Sequence, residues 1–253
     1  MMTTVNSSSS STPAPSTGAS KPKSAEMHPG PGFRMLREIE RVDADVVAAF
    51  AEFETPEISD LMNRLYTMNS AIHNMTAPDL RLLGPACTVK AFPGDNLMVH
   101  KSLDVVQPGD VVVVDASSST MTAVLGDLVS MKARHRGIAG FVVDGLIRDL
   151  PAILRLGDFP VFARGVTPIG PLHRGPGEIN YPVSVGGIVV HPGDLIAGDL
   201  NGVVVVPRES AGELLERLRA RAPAERSYSA SVAAGQFSND WVDKALESSG
   251  LTP

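Results

Sequence analysis

The chain has 253 residues, a formal net charge of −6 and a single cysteine, Cys87. That length can bury a full core in one large domain or two small ones. The mild acidity excludes a general binder of nucleic acid or anionic membranes, and one cysteine excludes an intrachain disulfide and any cysteine-based zinc site.

Residues 1–32 are rich in Ser, Thr, Pro and Gly and nearly free of large apolar side chains. Such a segment cannot offset its ordering entropy, which predicts a disordered tail at 1–32 followed by one domain over 33–253. No apolar run approaches the roughly 20 residues of a membrane helix. The N-terminus also lacks the basic flank and apolar stretch of a secretory signal. A cytoplasmic, reducing setting is therefore expected, and Cys87 reads as a small core residue rather than a nucleophile.

The pattern turns helical after residue 40. Asp43 or Asp45 is positioned to cap a helix carrying Val46, Val47, Phe50 and Phe53. Thr55-Pro56-Glu57 restarts one, with Pro56 in the tolerated first turn, and Ile58, Leu61, Met62 and Leu65 share its apolar face. After Pro78 the period changes. "LRLLGPACTVKAFPG" and "DVVVVDAS" read as strands, the second a continuous buried run, and "DNLMVHKSLDVVQ" between them as a helix capped by Asp95 or Asn96.

The stretch "GDLVSMKARHRGIAGFVVDGLIRDL" reads as a second helix–strand unit. Its helix starts at Asp127, turns Leu125, Leu128 and Met131 one way, and is closed by Lys132, Arg134, Arg136 and Gly137. "IAGFVVD" is then a strand, Gly145 a turn, and "DLPAILRLG" a short helix with Asp149 as its N-cap. "FPVFARG" reads as a strand. The part from Gly175 to Pro207 is short-stranded and turn-rich, and "PGD" turns precede apolar strands both inside it, at Pro192–Asp194, and earlier in the chain, at Pro108–Asp110. A charged helix over 209–222 and a last one around Trp241 finish the chain. The elements amount to an α/β fold, a compact layered sandwich in a single domain, with no dividing linker.

One constellation carries chemistry. A helix N-terminus offers unpaired N–H groups and partial positive charge, so the amides of Gly126, Asp127, Leu128 and Val129 make a seat for a carboxylate. Arg148, at the end of the next strand, offers a planar fork for carboxylate or enolate oxygens. Asp149 offers a hard oxygen to Mg²⁺ or Mn²⁺, and Mg²⁺ commonly takes only one or two protein carboxylates. Taken singly, a helix-start Asp is usually a cap and an Arg-Asp dipeptide usually a surface pair. Together they are the parts for holding a 2-oxo acid on a metal.

Asp127, the residues 128 to 147 and then Arg148-Asp149 reproduce a spaced motif without a gap. With "GPACTVKAFPGDNLMVHKSLDVVQPGDVVVVDAS", "FPVFARG" and "VVHPGDLIAGDLNGVVVVP", the chain resembles the class II 4-hydroxy-4-methyl-2-oxoglutarate / 4-carboxy-4-hydroxy-2-oxoadipate aldolases over residues 40–220. The regulator of ribonuclease E activity A belongs to the same family. The resemblance implies a swivelling β/β/α-like sandwich that assembles as a homotrimer or hexamer. It also implies that Asp149 binds a divalent metal, Mg²⁺ or Mn²⁺, and that Asp127 binds the metal's waters. Arg148 would hold the oxo acid and stabilise an enolate, and Gly126 to Val129 would bind the pyruvyl carboxylate. Retro-aldol cleavage to pyruvate is implied, with oxaloacetate decarboxylation as a side activity. The chain departs from the family pattern at Ala123, where the motif opens with Gly, and at Ala152, which is often acidic.

The sequence does not assign the base; a water oriented by Asp127 is the expectation. Family aldolases lend an acidic residue from a late helix across the subunit interface, and Glu213, Glu216 and Glu225 are available for that. His28, His135, His173 and His191 read as tail, solvated-face or loop residues. His100, on the helix opened by Asp95 and Asn96, reads first as a packing histidine and second as a substrate contact. No His spacing suits a catalytic zinc centre. The partner expected is a small oxo acid, with neither nucleic acid nor membrane. Two other functions stay open: a non-catalytic regulator that binds a ribonuclease or other protein, and an enzyme of the same superfamily acting on a different oxo acid.

Overall fold

The structure is a computed structural model that describes residues 26–251. The elements run β1 (Phe33–Met35), α1 (Ala44–Ala49), α2 (Thr55–Leu61), β2 (His73–Asn74), β3 (Leu82–Ala91), α3 (Leu97–Ser102), β4 (Val111–Asp115), β5 (Ala123–Leu125), α4 (Asp127–His135), β6 (Gly140–Ile147), α5 (Leu150–Leu154) and β7 (Val161–Val166). They continue as β8 (Gly177–Ile179), β9 (Val183–Val185), β10 (Ile188–Val190), β11 (Leu195–Asp199), β12 (Gly202–Val206), α6 (Ala211–Ala233) and α7 (Asp240–Ser248). Of the expected tail, residues 1–25 lie outside the described residues. Its last residue is already tied down: Gly32 N–H donates to Glu178 at 2.7 Å, and the Gly32 carbonyl accepts from Gly177 at 2.8 Å.

Strands β3, β4, β6 and β7 lie side by side in parallel. The long β3 serves two partners on its other edge: its first half pairs with β11 and its last residues with β8, both antiparallel. Helices α3, α4 and α5 cover one face of this sheet through Val99, Val129, Ala133 and Ile153, packed on Cys87, Val89, Val114 and Val143. The other face, with Ala86, Val113, Val142 and Phe162, packs on the β9–β10 and β11–β12 hairpins. The β11–β12 hairpin alternates: Ile196, Val203 and Val205 point toward the sheet, while Leu195, Ala197, Val204 and Val206 point toward α1, α2 and α6. The result is the layered α/β sandwich expected from the sequence, with a second helical layer beyond the hairpins.

Several local expectations are corrected. Helix α2 stops at Leu61 because Asn63 and Arg64 both turn to positive φ, so Leu65 leaves the apolar face and is 72% exposed. The buried face of α4 is Val129, Ser130 and Ala133, while Leu128 points outward. Gly145 is no turn. It lies inside β6, where a Cβ would stand 2.9 Å from that of Ala116. Helix α6 runs on through Pro223 to Ala233, and beyond Ala222 this arm exposes Tyr228, Phe237 and Trp241. Cys87 is fully buried, and burial pushes its thiol well up, as suits a core residue.

A row of charges crosses six adjacent strands at one level. In register it reads Arg34, Glu178, Lys90, Asp115 and Asp144, with Arg164 ion-paired to Asp144 at the far end. Asp144 is buried and also accepts from Ser118 Oγ at 2.8 Å and Gly186 N–H at 2.7 Å. Burial pushes its carboxyl up, but the Arg164, Gly186 and Ser118 donors together hold it below the usual carboxylate range. Asp144→Asn should therefore lower the unfolding free energy by about 2–3 kcal/mol at neutral pH, because little-exposed Arg164 loses its counter-charge. A depressed acid stabilises the fold above its unfolded pKa and loses that contribution as pH falls through the folded one. The gap from wild type should thus narrow between pH 7 and pH 3 in urea titrations.

Candidate active site

The site forms where two strand ends meet. Leu125 of β5 pairs with Ile147 of β6, and Arg148 N–H donates to the Leu125 carbonyl at 3.0 Å. The chain leaves β5 into α4 and leaves β6 into α5, so Gly126 and Arg148-Asp149 face each other across one backbone hydrogen bond. Asp149 sits in the left-handed region (φ 56°, ψ 30°), which an Asp tolerates better than most residues. It holds the N-cap position of α5 expected from the sequence, and its carbonyl accepts from Ala152 and Ile153, but its side chain makes no cap bond. That leaves the carboxylate to the pocket, 3.1 Å from Arg148 Nε.

Two glycines make room for the pair. A Cβ on Gly126 would stand 2.4 Å from Asp149 Oδ2, and one on Gly170 would stand 2.4 Å from Arg148 Nη1. The role of Gly126 is thus wider than ligand approach, since it also seats the protein's own carboxylate. The start of α4 is anchored by Ser130, whose N–H and Oγ both donate to the Gly126 carbonyl. One amide of the expected seat is engaged: Leu128 N–H donates to Asp127 Oδ1 at 2.7 Å.

A pocket of about 250 Å³ brings together all six residues singled out in the sequence: Gly126, Asp127, Leu128, Val129, Arg148 and Asp149. The Arg148 and Asp149 side chains remain about two-fifths exposed. The facing wall is Asn96, His100, Pro171 and His173, of which only His100 had been weighed from sequence for a substrate contact. His173 and Asn96 were missed because the loops that carry them are remote in sequence and zipped together in space. Asn96 N–H donates to the Leu172 carbonyl at 3.0 Å, and Leu172 N–H to that of Gly94 at 2.7 Å. Asp95, buried between them, accepts from Leu97 N–H with one oxygen and from Arg174 N–H with the other. His173 Nδ1 lies 2.6 Å from Asn96 Oδ1, and the His100 and His173 rings meet edge-on at 5.7 Å. Burial first, then Lys132 and His173, hold His100 below the ordinary imidazole range, so it is neutral at pH 7.

No group of three or more His, Cys, Asp or Glu converges among the described residues. The pocket suits a hard cation held by one carboxylate and water, as Mg²⁺ often is. The recess at Gly126, which a Cβ would fill, seats the Asp149 carboxylate that would hold such an ion. Glu213 and Glu225 of α6 are paired with Arg217 and Arg221, and neither they nor Glu216 lines this pocket.

Residues 55–205, more than half of the chain, match the RraA-like family described as Aldolase/RraA. The chain belongs to the RraA-like family. A relative from Halalkalibacterium halodurans named "Putative 4-hydroxy-4-methyl-2-oxoglutarate aldolase" is 41% identical over 179 residues, 71% of this chain and 84% of that protein. Among solved structures, an uncharacterized protein from Pseudomonas syringae superposes with a TM-score of 0.69 at 27% identity, covering 79% of this chain and 97% of its own. Streptomyces coelicolor RraAS2, titled an unusual member of the RNase ES inhibitor RraA protein family, superposes at 0.66 with 29% identity, covering 74% and 98%. The RraA-like region thus includes the pocket and the layers that carry it.

The Asp95 clamp generates a test. Asp95→Asn keeps the shape but leaves one of two N–H donors facing an amide that donates, and should lower stability by about 2 kcal/mol. The loop at 171–174 should also be cut faster by trypsin at exposed Arg174. Wild-type stability and cleavage rate in that variant would remove the clamp.

Proposed function

We propose that this protein is a divalent-metal-dependent aldolase that cleaves a 4-hydroxy-2-oxo diacid to pyruvate and a second oxo acid. The observation that carries this reading is the junction of Gly126, Arg148 and Asp149, where a helix start, a guanidinium and a carboxylate share one small pocket. Family membership and the name borne by the Halalkalibacterium relative support it. Candidate substrates are 4-hydroxy-4-methyl-2-oxoglutarate and 4-carboxy-4-hydroxy-2-oxoadipate.

In this reading Asp149 holds Mg²⁺ or Mn²⁺, and the ion, when bound, supplies Lewis-acid polarisation of the 2-oxo group. The start of α4, through Gly126 to Val129, receives the pyruvyl carboxylate. Arg148, seated against Gly170, meets the oxygen on which negative charge grows as the C3–C4 bond opens. A single well-placed donor of that kind contributes about 3–4 kcal/mol. Asp127 orients water at the mouth. Oxaloacetate, whose loss of CO₂ generates the same enolate, is an expected second substrate. A homotrimer or hexamer is the assembly proposed with this reading; the exposed aromatics of the arm from Tyr228 to Trp241 support it, because a monomer gains nothing by leaving them in water.

The competing reading is a protein-binding regulator, which draws on the ribonuclease inhibitor family named in the Streptomyces structure's title. A pyruvate-release assay on 4-hydroxy-4-methyl-2-oxoglutarate and on oxaloacetate, with Mg²⁺ and with EDTA, separates the two. Metal-dependent release is expected from both substrates. Asp149→Ala should abolish it, and Arg148→Lys should lower kcat by about 10²–10³-fold, since a point charge cannot replace the fork. Wild-type turnover in Asp149→Ala would sink the aldolase reading, and no turnover by wild type would favour the regulator.

A further inference from the structure

The wall facing Arg148 and Asp149 has a chemical polarity of its own. Asn96 is 3% exposed, and its Nδ2 donates to the Val124 carbonyl at 2.9 Å. A carbonyl only accepts, so this bond fixes the amide's orientation and leaves Asn96 Oδ1 facing His173 Nδ1 at 2.6 Å. That oxygen carries no proton. His173 Nδ1 must therefore be the donor, which makes Nε2 of the neutral ring a bare lone pair. The Leu172–Gly94 and Asn96–Leu172 backbone bonds set the height of the His173 loop, and the edge-on ring of His100 packs on its other side. Asp127 and Asp149 share the pocket, yet neither is in the chain of bonds that orients His173.

We propose that His173 is the general base of the site, presenting Nε2 to the substrate hydroxyl, and that Asn96 is the positioning residue that fixes its tautomer. This rests on the aldolase reading above, and it replaces the Asp127-oriented water expected from sequence. Nε2 takes the proton from the C4 hydroxyl. The O–H electron pair becomes the C4 carbonyl bond, the C3–C4 bond breaks, and its pair passes into the C2–C3 enolate. The imidazolium then returns the same proton to C3, forming the methyl group of pyruvate and restoring the neutral ring. Nothing is oxidised and no co-reactant is consumed.

Oxaloacetate separates this step from the rest of the site, because its leaving carboxylate has no proton to remove. With His173→Gln, kcat for 4-hydroxy-4-methyl-2-oxoglutarate is expected to fall about 100-fold further than kcat for oxaloacetate. Equal losses on both substrates, or no loss on either, would overturn the base. A wild type that decarboxylates and cleaves, combined with such a result, would leave the aldolase reading standing; a wild type that does neither overturns both. A second measurement needs no turnover. In the full chain labelled with ¹⁵N-histidine and free of metal, the signal that His173→Gln removes should show, for the neutral ring, a protonated Nδ1 and an unprotonated Nε2. Asn96→Ala should lose that tautomer while circular dichroism shows the fold intact. An Nε2-protonated ring in the wild type would refute the assignment.

Discussion

At the start of α4, a Cβ on residue 126 would lie 2.4 Å from the Asp149 carboxylate and 3.0 Å from Cγ of Arg148. A Cβ there would displace the tip of the Asp149 side chain and crowd that of Arg148, so the pair keeps this seat only with glycine at 126. The backbone at Gly126 is extended, with φ of −146°, so the need is for space and not for an unusual dihedral. A neighbouring glycine, Gly170, performs the same service for the guanidinium. Two missing methyl groups thus let one Arg and one Asp, both partly solvated, stand against a helix start without displacing it.

The layers behind the junction hold it still. The central strands are buried on both faces, between the helices α3–α5 and the hairpins, and nearly every side chain along β4 is a valine. The loops at their ends can be short and hydrogen-bonded to each other, as at Gly94, Asn96 and Leu172. A rigid scaffold carrying polar loop ends is how an α/β sheet usually presents a site.

What the sequence disclosed follows from range. The buried strands, the α4 start and the Asp127 to Arg148-Asp149 spacing are local patterns, and the structure brings all six residues read from them into one pocket. Asn96 and His173 are 77 positions apart. Neither has a periodicity or motif of its own, and only the zipper of two loops makes them neighbours. Local rules also failed where tertiary demands outweighed them. Asp149 looked like a helix cap but spends its side chain on the pocket. Leu128 looked like a core residue, yet the helix turns Val129 and Ala133 inward onto the sheet and leaves Leu128 exposed. Gly145 looked like a turn because the close approach of Ala116 leaves no trace in the sequence around it.

The row of charges from Arg34 to Arg164 has a consequence for how the sheet assembles. On β3, β4, β6 and β7 each charged residue follows immediately after one that faces the helix-covered core, namely Val89, Val114, Val143 and Ala163. A strand docked one residue out of step would exchange the two, driving a charge among those side chains and a valine or alanine into the row. Burying an unpaired polar group costs several kcal/mol, about 2–7 even before charge is counted. Within β4, four successive valines give almost no other information about alignment, so the row acts as an alignment mark. It helps the four parallel strands to settle into a single arrangement during folding.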